Sequence, residues 1–139
     1  KLQHSSDTQL AAISAKALKE VSYHLRWSSE WVIRLGDGTN ESHERMLKAT
    51  DELWRYTGEL FSPAQFESAL VKEGISTDLT ELKKAWIKKI TEVFNEATLP
   101  VPENIFMQGG GKDGNHTEHM GYILSDLQYM QLVYPNCEW

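Results

Sequence analysis

Glu20 and His24 stand four residues apart in a stretch of helical periodicity, and a carboxylate and a neutral imidazole on one helix face are the ingredients of iron ligation. A di-iron carboxylate site in a helical bundle takes a Glu-x-x-His pair from each of two helices and a Glu from each of the other two. Here the spacing is four rather than three, Tyr23 holds the third position, and no second helix offers a matching inward pair. The preferred reading is therefore a vestigial, buried and hydrogen-bonded Glu20–His24 pair, because a buried polar group needs a partner with or without metal. Ligation is the alternative.

His116, Glu118 and His119 form a second, weaker candidate. Structural zinc takes four ligands and catalytic zinc three plus an open position, and the sequence offers no others nearby. Thr117 is instead expected to cap the last helix, with Glu118 complementing its positive end and the histidines bonded to the adjoining loop. The run GGGKDG, Gly109 to Gly114, exposes backbone N–H groups ahead of a helix but fails the phosphate-loop pattern, since Asp113 follows Lys112 where Ser or Thr should stand and no strand precedes it. Lys112 is read as a solvated lysine, with a phosphate or protein contact as the alternative. Lys83, Lys84, Lys88 and Lys89 read as a solvated rim. Neither a G-x-S-x-G elbow nor a cysteine with a plausible setting supports nucleophilic catalysis. No catalytic residue, resident metal or cofactor is assigned to this chain.

The elements that must position these groups read as five helices. The longest runs over about residues 7–35, with Ser6 as cap, Gln9 completing a capping box, and Gly36 as a left-handed terminator. It would be roughly 43 Å long. Lys16, Lys19, Tyr23, Arg26, Glu30 and Arg34 form its wet stripe, and the remaining surface is apolar or small over far more than one ~100° arc. Such a helix must be covered from several directions. Trp27, at the margin of the stripe, and Trp31 are candidates for contact with a partner. Further helices are expected over about 41–61, 63–73, 79–98 and 117–134. Asp78 and Glu81 cap the fourth, Phe66, Ala69 and Leu70 are expected to be buried by the third, and Gly121 is expected to admit a close neighbour to the last. Residues 99–107, with two prolines, should lie extended across the bundle. No stretch alternates with period two, so the class is all-α.

The 139 residues suit one domain, and 40% hydrophobic against 24% charged residues is ordinary for a soluble globular chain. A net charge of −6 argues against a general nucleic-acid binder, and no apolar run approaches the ~18 residues of a membrane span. A lone cysteine, Cys137, allows no internal disulfide and suits a cytoplasmic setting. The opening on Lys1, with an over-wide apolar helix soon after, leads to the expectation that a preceding segment is absent.

Three stretches taken together, Gln9 to Thr39, LWRYTGELF from Leu53 to Phe61, and Asn95 to Pro102 followed by Gly109 to Gln131, resemble the C subunits of bacterial phenylacetyl-CoA epoxidases, ring oxygenases of phenylacetate catabolism. The resemblance implies a ferritin-like bundle, of which this sequence would be the C-terminal half of a single domain. It also implies that the di-iron site and the CoA thioester substrate belong to the A subunit, and that this chain is a non-catalytic structural subunit pairing with A. Self-association is expected for any face left uncovered. An oxygenase subunit with its own di-iron site, or a free-standing helical interaction module, are the competing expectations.

Overall fold

A computed structural model describes residues 1–138. Among them every regular element is helical: α1 (Thr8–Gly36), α2 (Asn40–Leu53), α3 (Gln65–Lys72), α4 (Leu79–Glu96) and α5 (His119–Val133), with short 3-10 turns at Leu2–His4, Trp54–Tyr56, Gly58–Phe61 and Gly111–Asp113. The chain forms two compact units, Lys1–Gln108 and the residues from Gly109 on.

α1 starts one residue later than its sequence suggests. The carboxylate of Asp7 accepts from the N–H groups of Gln9 and Leu10, while Ser6 is used elsewhere, its hydroxyl donating to the Glu73 carbonyl and its N–H to that of Gly74. The N-terminal segment is thereby tied to the turn between α3 and α4, where Gly74 adopts φ +72. At the other end Gly36 is the last helical residue and is buried, without a left-handed φ. Its missing side chain serves close approach: a Cβ there would lie 2.4 Å from the Ala97 carbonyl oxygen and 2.8 Å from the Ala97 Cβ.

The second expected helix, about 41–61, is broken after Leu53. Thr57 returns its hydroxyl to the Trp54 carbonyl at 2.8 Å, and Gly58 sits where a Cβ would meet the Met107 side chain at 2.8 Å. The extended 99–107 segment therefore crosses here, and Gln108 donates its N–H to the Arg55 carbonyl at 2.8 Å. Tight 3-10 winding brings the backbone near that segment, which a continuing α-helix need not do. α3 begins at Gln65, and the N–H of Ala64 just before it donates to the Glu67 carboxylate at 2.7 Å. Phe66, expected inside, is 61% exposed.

The core of the first unit is small. Trp54, Val93, Phe94, Ala97 and Leu99 are buried, with Val32, Ile33, Met46, Leu47, Trp86 and Ile90 among the residues packed round them. Trp54 lies between Trp86 and Phe94 at ring-centroid distances of 5.5 and 5.8 Å. The α4 row Leu82, Trp86, Ile90, Val93, Phe94, Ala97 points inward as its spacing requires.

Asp78 caps α4 through the Thr80 N–H at 2.7 Å, and that backbone bond holds its carboxyl below the ordinary value of 3.8. A depressed folded-state pKa contributes stability that is present above the unfolded value and lost as pH falls through the folded one. The urea midpoint of the chain should therefore drop on acidification through this range, and by less in Asp78→Asn, which keeps an acceptor but cannot protonate. Equal slopes for the two proteins would contradict the assignment. The group is fully exposed, so the difference is small.

In the second unit α5 starts at His119 rather than at 117, and Thr117 contributes its carbonyl, accepting from the Met120 N–H, in place of a side-chain cap. Every residue of α5 but Met120 is exposed, including Tyr122 at 66%, Leu127 at 70% and Leu132 at 71%. Gly121 has no atom within 4 Å of a built Cβ, so the close neighbour expected there is not found among the described residues.

Candidate functional site

Glu20 and His24 lie near the middle of α1, where residues 18–28 are exposed. The expected buried pair is not formed in the chain alone. The His24 ring meets the edge of Tyr23 at 6.1 Å between centroids, and no hydrogen bond joins it to Glu20 among the described residues. The physical reason is packing. α1 touches α2 and α4 through Val32, Ile33 and Gly36 near its C-terminal end, while among the described residues nothing is laid over the arc bearing His24.

Trp27 and Trp31 stand one and two turns further along, 53% and 43% exposed, edge-to-face at 6.2 Å. Arg34 lies over the Trp31 ring at 5.6 Å and Arg26 over Tyr23 at 5.5 Å. Arg26 and Glu30, both exposed, make a loose ion pair at 3.9 Å, which contributes little. Trp, Tyr and Arg are the side chains over-represented where a few residues carry most of a binding energy. This stretch of α1 is rich in exposed aromatic and arginine side chains.

His116, Glu118 and His119 are exposed on the approach to α5, and the His119 ring lies beside Tyr122 at 6.5 Å. Lys112 is exposed in the 3-10 turn between two left-handed glycines, Gly110 and Gly114. Among the described residues no three His, Cys, Asp or Glu side chains converge in a way that could hold a metal ion. A di-iron centre needs six such donors from four helices, and the described side chains do not bring that set together.

One arrangement was not anticipated. The Nδ1–H of His43, in the first turn of α2, donates to the Gly36 carbonyl at 2.7 Å, and the Thr98 hydroxyl reaches the same oxygen at 3.4 Å. The ends of α1 and α4 and the start of α2 are joined at one acceptor. The available signal was a histidine just after a tight turn, able to reach back to the carbonyls that end the preceding helix.

No helix of the described residues is long and apolar enough to cross a membrane. All 139 residues match the family described as Phenylacetic acid catabolic protein. The chain is also 48% identical, over its whole length, to the C subunit of the 1,2-phenylacetyl-CoA epoxidase of Escherichia coli strain K12, and spans 56% of that relative's length. Five α-helices without a described strand, and a family match from the first residue to the last, point the same way: the chain belongs to the phenylacetic acid catabolic protein family, whose fold is the ferritin-like helical one.

Proposed function

We propose that this chain is a non-catalytic structural part of a phenylacetyl-CoA epoxidase, pairing with and stabilising a di-iron A subunit in the cytoplasmic breakdown of phenylacetate. The observation that carries the reading is the 48% identity to the C subunit of such an epoxidase over every residue of the chain. The side chains are in keeping with a partner contact: Trp27 and Trp31 offer exposed aromatic area on the helix that also carries Glu20 and His24. Iron and the CoA thioester are assigned to the A subunit. Lys112, exposed in its glycine turn, is a lesser candidate for the contact with the partner beside Trp27 and Trp31.

A partner that binds only the folded chain stabilises it by mass action. Co-expression with a tagged A subunit should therefore retain this chain through affinity and size-exclusion steps, raise its thermal midpoint, and leave iron with the A subunit. Failure to co-purify would overturn the pairing. Stoichiometric iron in the purified chain alone, by elemental analysis, would overturn the non-catalytic assignment independently.

A further inference from the structure

α4 closes with a pair of capping bonds. The Leu99 N–H donates to the Phe94 carbonyl at 2.9 Å and the Thr98 N–H to the Asn95 carbonyl at 3.3 Å, the pattern that wraps a helix end round one left-handed residue. That residue is Thr98, at φ +57. Glycine or asparagine ordinarily fills this place, because a Cβ crowds the following carbonyl there and branching at Cβ adds to the crowding. A left-handed threonine is therefore a strained one. It is held from inside the first unit: Ala97 before it is 0% exposed, Leu99 after it is 4% exposed, and its hydroxyl donates to the carbonyl of buried Gly36 at 3.4 Å.

Thr98 also starts the segment that crosses beside Gly58. Leu99, Val101 and Ile105 pack on the core, Met107 lies against Gly58, and the Gln108 N–H donates to the Arg55 carbonyl at 2.8 Å. Between the two ends, residues 100–107 make no backbone-to-backbone hydrogen bond among the described residues, and Pro100 and Pro102 have no N–H to give. Asn104 is left-handed as well, at φ +56, a conformation that asparagine tolerates, so the strain sits at Thr98. We infer that residues 98–108 are a strained strap, which opens as one piece while the helices stay folded, with Thr98 as its hinge. Closing the strap forces Thr98 into the left-handed region, and opening it lets that residue return to an extended conformation. Local opening of this kind belongs to segments with few backbone bonds and few buried side chains. The Thr98 hydroxyl carries the opening to a second place. It shares the Gly36 carbonyl with the Nδ1–H of His43, so release of the strap removes one of the two donors that fix the end of α1 against α2 and α4. The device stands on neighbours inside the first unit, independently of the epoxidase reading.

Native-state hydrogen exchange of the 139-residue chain, followed amide by amide by NMR, tests it. In the parent chain the Leu99 and Gln108 amides should exchange with one common opening constant, at least about tenfold larger than that of the Val93 and Phe94 amides inside α4. Thr98→Asn keeps a donor and accepts the left-handed conformation, so it should slow both amides by the same factor, roughly three- to tenfold. Thr98→Val keeps the branching and drops the hydroxyl, so it should speed both and shift the His43 Nδ1 resonance. Gln108 lies ten residues from the substitution, and an effect confined to the end of α4 would leave it unmoved. Leu99 protected as strongly as Val93 would overturn the strap, since it would then open only with the whole unit. So would a Gln108 amide that does not follow Leu99 in the variants. Equal effects of Thr98→Asn and Thr98→Val would overturn the hinge at Thr98, and a His43 resonance indifferent to Thr98→Val would overturn the link to the end of α1.

Discussion

Replacing Gly36 by Ala should destabilise the first unit by about 3 kcal/mol, at the upper end of what forced overpacking costs. The added Cβ would sit 2.4 Å from the Ala97 carbonyl oxygen and 3.2 Å from its carbon, both backbone atoms that no rotamer change can move aside. Relief requires the C-terminal ends of α1 and α4 to separate. That separation disturbs the Gly36 carbonyl, which accepts from His43 and Thr98, and the burial of Ala97, which is 0% exposed. Trimming Ala97 to Gly removes only the Cβ at 2.8 Å and leaves the closer carbonyl contact, so it should rescue little. The same chemical change at Gly121 should have the opposite sign. There a Cβ meets open space within a helix, and Ala is favoured over Gly by about 0.5–1 kcal/mol. Urea unfolding of the three variants, with far-ultraviolet circular dichroism as the signal, checks both signs at once.

Gly36 also marks where reading from sequence stops. The all-α class, the fourth helix with its Asp78 cap, and the inward row from Leu82 to Ala97 were legible, because caps and periodicity are local properties of the chain. The role of Gly36 was not. A glycine ending a helix ordinarily supplies a left-handed turn, and only the position of residue 97 reveals that this one supplies room. The break in the expected 41–61 helix has the same origin, since Gly58 answers to Met107, far along the chain. Candidate chemistry was legible as residue types and spacing, and Glu20, His24, Trp27 and Trp31 do share one side of α1. Their surroundings were not legible, because an over-wide apolar arc says that something covers a helix without saying what. Phe66 and α5 repeat that lesson, their apolar side chains standing exposed in the chain alone.

The consequence for the site is a division of labour within α1. Its C-terminal turns are fixed by the first unit's core through Val32, Ile33 and Gly36, whereas its middle carries ligand-type and aromatic side chains that contribute little to that core. Substitutions in the middle of α1 should therefore act on association, and substitutions in the core on folding. This separation makes the assignments testable with the same two measurements, a sedimentation profile and an unfolding curve.

Trp54→Ala defines the folding side of that division and should cost about 3–5 kcal/mol, a large share of the stability of a domain of this size. Its ring is 9% exposed, meets Trp86 and Phe94 at 5.5 and 5.8 Å, and stands where α2 gives way to tighter winding. The first unit buries few residues, so neighbours can close over the lost volume only by shifting Trp86, which also packs on Phe61 at 5.2 Å. Trp86→Ala should cost less, because that ring is only partly buried, and the double variant should fall short of the sum by about 0.5–1.5 kcal/mol, the coupling of an aromatic pair. Each variant changes the tryptophan set of the core and hence the fluorescence baseline, so circular dichroism must carry the measurement. A loss below about 1 kcal/mol for Trp54→Ala, the range of a surface substitution, would mean that the cluster at the α2–α4 contact is not what holds the first unit together.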